Sequence, residues 1–141
     1  DMGDNPGEMG DNLPVVNLGT GRTAKSIAGG QSSICALLDN ASVKCWGWNT
    51  WGQRGSYQAD NRYSKLGDDP GEMGDNLPVV NLGTGRTAKS ISAGSYFNCA
   101  VLDNDAAKCW GKNDYGQLGI DNTTRMGDNP GEMDALPFIN L

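Results

Sequence analysis

The chain has no histidine, only two phenylalanines, and 7 % aromatic residues over 141 positions. Without histidine the usual nucleophile–base pairs have no base, and the commonest metal ligand is missing. No apolar run approaches the roughly 20 residues that a membrane helix needs. No long basic run exists and the net charge is −6, which argues against nucleic acid, since phosphate binding needs a concentrated Lys/Arg surface. The opening DMGDNPGEMG has neither the basic nor the apolar region of a signal peptide. A start at Asp1 is what a processed product or a segment of a longer chain would show.

What is abundant is glycine, at 21 residues, with six prolines and many Asn and Asp. These residues supply the positive φ angles of turns, so short strands are expected rather than long helices. Composition alone also fits disorder, but the Trp, Cys and Val/Leu/Ile clusters fall in compact, regularly placed islands.

The islands repeat. GEMGDNLPVVNLGTGRTAKSI occurs at 7–27 and again, unchanged, at 71–91. The period is 64 residues, and Trp46/Trp110, Asn49/Asn113 and Gly52-Gln53/Gly116-Gln117 obey it. MGDNPGEM at 126–133 begins a third copy, after a spacing that shrinks because SYQADNRYSKL is longer than IDNTTRM. The chain therefore divides into a first unit at 1–66 with a hairpin at 34–48, a second at 67–125 with a hairpin at 98–112, and the opening strand of a third at 126–141. Repeats of this size each bury an apolar face on a neighbour.

Within a unit, LPVVNL reads as a strand, GTGR as a turn, and AKSIAGG or AKSISAG as a second strand. ICALL-DNA-SVKCWGW reads as a hairpin. Placing Cys35 opposite Cys45 pairs Leu37 with Val43 and Leu38 with Ser42, and leaves Asp39-Asn40-Ala41 as a three-residue loop. Such a loop is usually a type I turn followed by a left-handed residue. Cys35, Leu37, Val43 and Cys45 then share one face, and Ala36, Leu38 and Trp46 the other. Both faces are apolar, as in a sheet sandwiched between like sheets. The expected fold is all-β, with tandem blade-like antiparallel sheets of a β-propeller or an open stacked-blade array.

The pattern C-A-L-L-D-N-x-x-V-K-C-W-G-x-N-x-x-G-Q-x-G, followed by a polar loop, Pro and V-x-L-G, resembles the regulator of chromosome condensation repeat family. That resemblance implies β-propeller blades, and protein partners such as small GTPases, chromatin or β-lactamases. Secreted and bacterial relatives often carry paired cysteines at these hairpin positions. Here Ser33 and Phe97 stand where the family often has histidine, and Arg54 replaces the leucine kept as Leu118.

The cysteine spacing of nine intervening residues fits neither zinc pairs nor a C-x-x-C redox motif. Cross-strand disulfides Cys35–Cys45 and Cys99–Cys109 are favoured over free thiols or a metal site. They would place the chain in an oxidising, extracellular or cell-surface setting. Asn40-Ala41-Ser42 and Asn122-Thr123-Thr124 fit the N-glycosylation sequon, and Trp48 has the W-x-x-W spacing of C-mannosylated tryptophan.

The recurring Glu8, Glu72, Glu132, Asp11 and Asp75 read as solvated turn residues, and no spacing matches a calcium loop. GTGR at 19–22 and 83–86 reads as a turn rather than a phosphate loop. Arg22, Lys25, Arg86 and Lys89 are expected to pair with acidic residues of a neighbouring unit or chain. No catalytic residue, cofactor or metal is expected, and the chain reads as a non-enzyme. The leading expectation is an extracellular structural protein that self-assembles head-to-tail into a fibre or surface layer, its partner being itself. The alternative is a protein-binding module of a longer propeller. Loops that differ between the duplicated units (Gln31-Ser32-Ser33 against Ser95-Tyr96-Phe97, Trp48 against Lys112) favour it. Neither nucleic acid nor membrane insertion is expected.

Overall fold

A computed structural model describes residues 1–57 and 65–139. Most of the SYQADNRYSKL loop and the end of the third copy lie outside the described residues. Two antiparallel three-stranded sheets carry the fold. The first runs β1 (Ala24–Gly29), β2 (Ser33–Leu38), β3 (Val43–Gly47), and the second β4 (Ala88–Ala93), β5 (Phe97–Leu102), β6 (Ala107–Gly111). One short helix, α1 (Glu132–Ala135), follows. No helix among the described residues is long and apolar enough to cross a membrane.

The hairpin register is the one that the cysteines dictate. Cys35 pairs with Cys45 and Leu37 with Val43, and Cys99 with Cys109 and Val101 with Ala107. The Leu38 N–H donates to the Ser42 carbonyl at 2.9 Å, and the Ala41 N–H returns to Leu38 at 3.0 Å. Ala41 and its equivalent Asp105 take left-handed φ angles of 63° and 66°, as a three-residue loop requires. Asp39 and Asp103 brace these loops. Each carboxylate accepts from the N–H of Thr23 or Thr87, just before the first strand of its own sheet. The Thr23 bond, with Arg22 nearby, lowers the Asp39 pKa despite some desolvation. Arg22 and Arg86 pair with Asp39 and Asp103, and Lys89 with Asp105. Arg22, Arg86 and Lys89 thus pair within their own units, not with a neighbour, because the hairpin loop folds back beside them.

The sheet and the sequence period are out of phase. LPVVNL does not begin the sheet of its own unit. Val79 bridges Lys44, and the Val80 N–H donates to the Val43 carbonyl at 2.8 Å. Leu66 bridges Gly47 on the same β3 edge. The second sheet is finished alike, by Met126 on Gly111 and Ile139 on Ala107. The strand that opens each unit therefore completes the preceding blade. The first copy of that strand has no such edge among the described residues, and Val16 is 49 % exposed where its equivalent Val80 is 2 % exposed.

One core joins the sheets. Cys35, Leu37, Val43 and Cys45 of the first pack with Ala88, Ala100, Leu102 and Trp110 of the second, with Val80, Leu82, Met133 and Leu136 at the margin. Ala36 and Leu38 on the opposite face are buried too. Cys99, Val101 and Ala107 remain partly open.

The repeated glutamates have a sharper role than solvated turn residues. One carboxylate oxygen of Glu8, Glu72 and Glu132 accepts three successive backbone N–H groups, those of residues 3–5, 67–69 and 127–129. Such hydrogen bonding to the charged form lowers a carboxyl pKa. For Glu8, the Asn5 bonds foremost bring it from 4.5 to about 2. For Glu132 burial pulls the other way, yet the bonds from Asn129 and its neighbours still leave the pKa lowered.

Arg54 is buried where the second unit has the buried Leu118. Among the described residues its Nε, Nη1 and Nη2 have no hydrogen-bond partner. Burial lowers its pKa to about 10, with Glu72 opposing, so it stays charged at neutral pH. A desolvated, unpaired cation is destabilising. Arg54→Leu is expected to stabilise the fold by about 1–3 kcal/mol, read as a higher midpoint in denaturant; a lower midpoint would mean that the guanidinium has a favourable partner.

Candidate interaction surface

The candidate site forms where each hairpin leaves its sheet. Gly47 and Gly111 end β3 and β6 with φ angles of 94° and 113°. A Cβ at either would sit 2.5 Å from the Ser32 or Tyr96 carbonyl. Only glycine lets the chain turn here, and those carbonyls then accept from the N–H groups of Trp48 and Lys112 at 2.8 and 2.9 Å.

The following N-x-x-G-Q loop is braced by its own motif residues. The Asn49 and Asn113 side-chain oxygens (Oδ1) accept from the N–H groups of Arg54 and Leu118, both at 2.9 Å. The Gln53 and Gln117 side chains accept from those of Trp51 and Tyr115, again at 2.9 Å. Asparagine and glutamine thus replace backbone partners in a loop too tight to supply them.

That bracing presents residues 51 and 115 outward. The Trp51 ring lies 6.5 Å from the Tyr96 ring, tilted by 54°. Lys112 Nζ sits 4.7 Å from the centroid of Trp51 and 5.6 Å from that of Tyr96, and the Arg125 guanidinium is 5.7 Å from Trp51. These distances suit cation–π contact. Asp114 pairs with Lys112 at 3.2 Å, and Asp128 with Arg125 Nε at 2.8 Å. Beside the cluster, Ser95, Tyr96, Phe97, Lys112, Tyr115 and Gln117 line a shallow groove, and Tyr115 is 89 % exposed. The surface crosses the blade boundary, with Trp51 from the first unit and the remainder from the second. It offers flat aromatic faces and fixed cations, and no nucleophile paired to a base.

Both expected disulfides are present, Cys35–Cys45 and Cys99–Cys109, each with Cα atoms 4.1 Å apart. Among the described residues no cysteine is free. Asn40 lies exposed at the hairpin tip, where its side chain accepts from Ser42 Oγ at 2.7 Å. Asn122 is exposed, and so is Trp48. Asp68, Asp69 and Glu72 gather in one loop, with Glu72 already engaged by backbone N–H groups.

Two residues escaped sequence reasoning. Lys44 and Lys108, which the sequence did not single out, are both buried. Lys44 Nζ donates to the Leu18 and Gly74 carbonyls at 3.0 and 2.7 Å. Lys108 lies 4.9 Å from the Phe138 ring, and burial lowers its pKa although Asp134 opposes the shift. The available signal was their exact repetition between two apolar residues.

The disulfides differ in access. Cys35, Cys45 and Cys109 are buried, whereas Cys99 is partly open. Because thiol–disulfide exchange requires approach to a sulfur, limited reduction should open Cys99–Cys109 first. Alkylation and peptide mass mapping would read the order, and simultaneous or reversed loss would contradict it.

Residues 24–53 and 88–117 match the regulator of chromosome condensation (RCC1) repeat. Among solved structures, the chain is similar to Prp20p of Saccharomyces cerevisiae, at 21 % identity and a TM-score of 0.64, over 89 % of this chain and 27 % of that one. It is also similar to human WBSCR16, at 16 % identity and a TM-score of 0.56, over 84 % of this chain and 26 % of that one. A second yeast RCC1 (Prp20) structure, bound to Kap60, matches at 21 % identity, with a TM-score of 0.51 and coverage of 89 % and 26 %. The chain thus spans about a quarter of the length of the structures it matches, and at such identity the likeness concerns the fold. Each disulfide-closed sheet lies within a segment that matches the regulator of chromosome condensation repeat, and each is folded as a β-propeller blade.

Proposed function

We propose that the chain is a non-catalytic protein-recognition module of an extracellular or cell-surface setting, and that its partner docks on the aromatic–cationic rim. One observation carries this reading. Tyr96, Lys112, Tyr115 and Arg125 differ from their counterparts in the other unit, and they meet around Trp51 at one place. Differences inside a near-exact duplication mark surface that is free to specialise. Tyr, Trp and Arg are the residues enriched at interface centres.

Protein binding among similar folds supports the class of partner. Yeast Prp20p is described by its binding to Gsp1p and histones, and in complex with Kap60. The two disulfides support an oxidising compartment. The test is affinity capture from a secretome, with the oxidised chain beside Trp51→Ala and Tyr115→Ala variants. A specific partner lost at least tenfold with either variant is expected; retention by both would remove the rim as the docking site.

Glycans at Asn40 and Asn122 and a mannose on Trp48 belong to the same setting. Chain made in a secretory pathway should exceed 14.9 kDa by hexose-containing increments that Asn40→Gln and Asn122→Gln remove. An unmodified mass would overturn the assignment.

A second reading is structural self-assembly into a fibre or surface layer. It is favoured by the identical stretches 7–27 and 71–91, which give successive units like surfaces. The native particle should then be many times 14.9 kDa by light scattering; a particle of single-chain mass would refute it.

A further inference from the structure

The two N-x-x-G-Q loops share their turns but not what they bury. The N–H groups of Gly52 and Gly55 return to the Asn49 and Gly52 carbonyls at 3.0 and 2.9 Å, and those of Gly116 and Gly119 to Asn113 and Gly116 at 3.1 and 3.0 Å. The second loop continues with Leu118 and Ile120, the first with Arg54 and Ser56. Both exchanges put hydrogen-bond donors where the other unit has hydrocarbon. Arg54 is nonetheless fully buried, and Ser56 is only 7 % exposed.

Among the described residues, these donors have no acceptor. Asn49 Nδ2, Gln53 Nε2, Ser56 Oγ and all three guanidinium nitrogens of Arg54 are buried without a hydrogen-bond partner. The matching amide of Asn113 donates to the Asn122 and Thr124 carbonyls at 2.8 and 3.0 Å. Glu72 is the carboxylate whose charge acts on Arg54, but it accepts no hydrogen bond from the guanidinium. One of its oxygens is taken by the N–H groups of residues 67–69. Single unsatisfied buried groups are rare in folded proteins. A whole set of donors within residues 49–56 requires one common partner.

That partner has to accept and to carry negative charge. Water accepts, but it brings two hydrogens of its own and leaves the buried guanidinium uncompensated. A cation has the wrong sign. An oxyanion offers acceptors only, and two of its oxygens match the planar fork of an arginine. Because Arg54 is closed to solvent, such an anion is small. Ser56 stands in the wall of a cleft between the two blades, beside Tyr57 and Asn81, which gives the loop a route to solvent. Asp134, the carboxylate of that wall, already receives the Asn81 amide.

We propose that the first N-x-x-G-Q loop binds a small oxyanion (phosphate, sulfate or a carboxylate ion), gripped by the Arg54 guanidinium and by hydrogen bonds from Ser56 Oγ and Asn49 Nδ2. The second loop, with Leu118 and Ile120 at the same places, binds none. The anion is a ligand of the folded chain, so it shifts folding by mass action. A hundredfold excess over its dissociation constant raises the folding equilibrium constant about a hundredfold.

The oxidised chain, dialysed into Tris–chloride, tests this by denaturant midpoints with added sodium phosphate, sulfate or acetate at matched ionic strength. The unaltered chain should gain stability with at least one of the three from millimolar concentration, and the anion that acts identifies the ligand. Arg54→Leu should lose the response while lying above the unaltered chain in chloride alone. Ser56→Ala should keep a weaker response. Exclusion of phosphate and sulfate from protein surfaces also stabilises folds, but it acts on all three proteins alike. Parallel responses of the unaltered chain and Arg54→Leu would therefore overturn the site, as would the absence of any response. An Arg54→Leu midpoint below that of the unaltered chain in chloride would overturn it too, because the guanidinium would then have a partner within the protein.

Discussion

A single backbone carbonyl, that of Gln53, sets the relation between the two sheets. It receives both the indole N–H of Trp110 and the amide of Asn98 in a place closed to solvent. Buried donors without partners are costly, so the two blades have one arrangement in which the indole is satisfied. The rest follows. The glycine after position 54 lets the loop lie on the ring, the asparagine at 49 holds the loop in shape, and the apolar faces of the hairpins meet beneath it. The rim is a by-product of that arrangement, because Trp51 reaches Tyr96 and Lys112 only when its loop rests on the second blade.

Much of this was legible in the sequence, and the reasons are local. Two cysteines facing one another across a three-residue loop fix the pairing of β2 with β3. A one-residue slip would exchange the faces and separate the sulfurs. Alternation of apolar residues on both faces likewise announced a sheet covered on two sides. The disulfides and their hairpins therefore came out as read, together with the exposed loop tip at Asn40.

What was not legible is non-local. LPVVNL reads as a strand, but nothing in six residues says which sheet it joins. Its place beside β3 depends on a loop carrying it back to the previous blade, as the bridge of Val79 to Lys44 shows. The burial of Lys44 was not legible because the carbonyls that receive it come from residues 18 and 74. The rim was visible only as a list of differing positions. Its assembly at the boundary requires the stacking of the units, which no single unit encodes. The glutamates sit between these cases, with partners three to five residues away but in a turn that a charge-based reading treats as solvent-facing.

The borrowed strand bears on the order of events during synthesis. A chain emerging from the ribosome folds domain by domain, N-terminal parts first, at about 5–20 residues per second. Here the first blade cannot finish when its own hairpin is out, because the backbone groups along β3 wait for Leu66, Val79 and Val80. For those seconds the nascent blade has an unprotected edge of the kind that pairs with other chains. The cross-strand disulfide behind that edge can already close, since both its cysteines precede the missing strand. Oxidation before completion would hold the unfinished sheet in register until its last strand arrives.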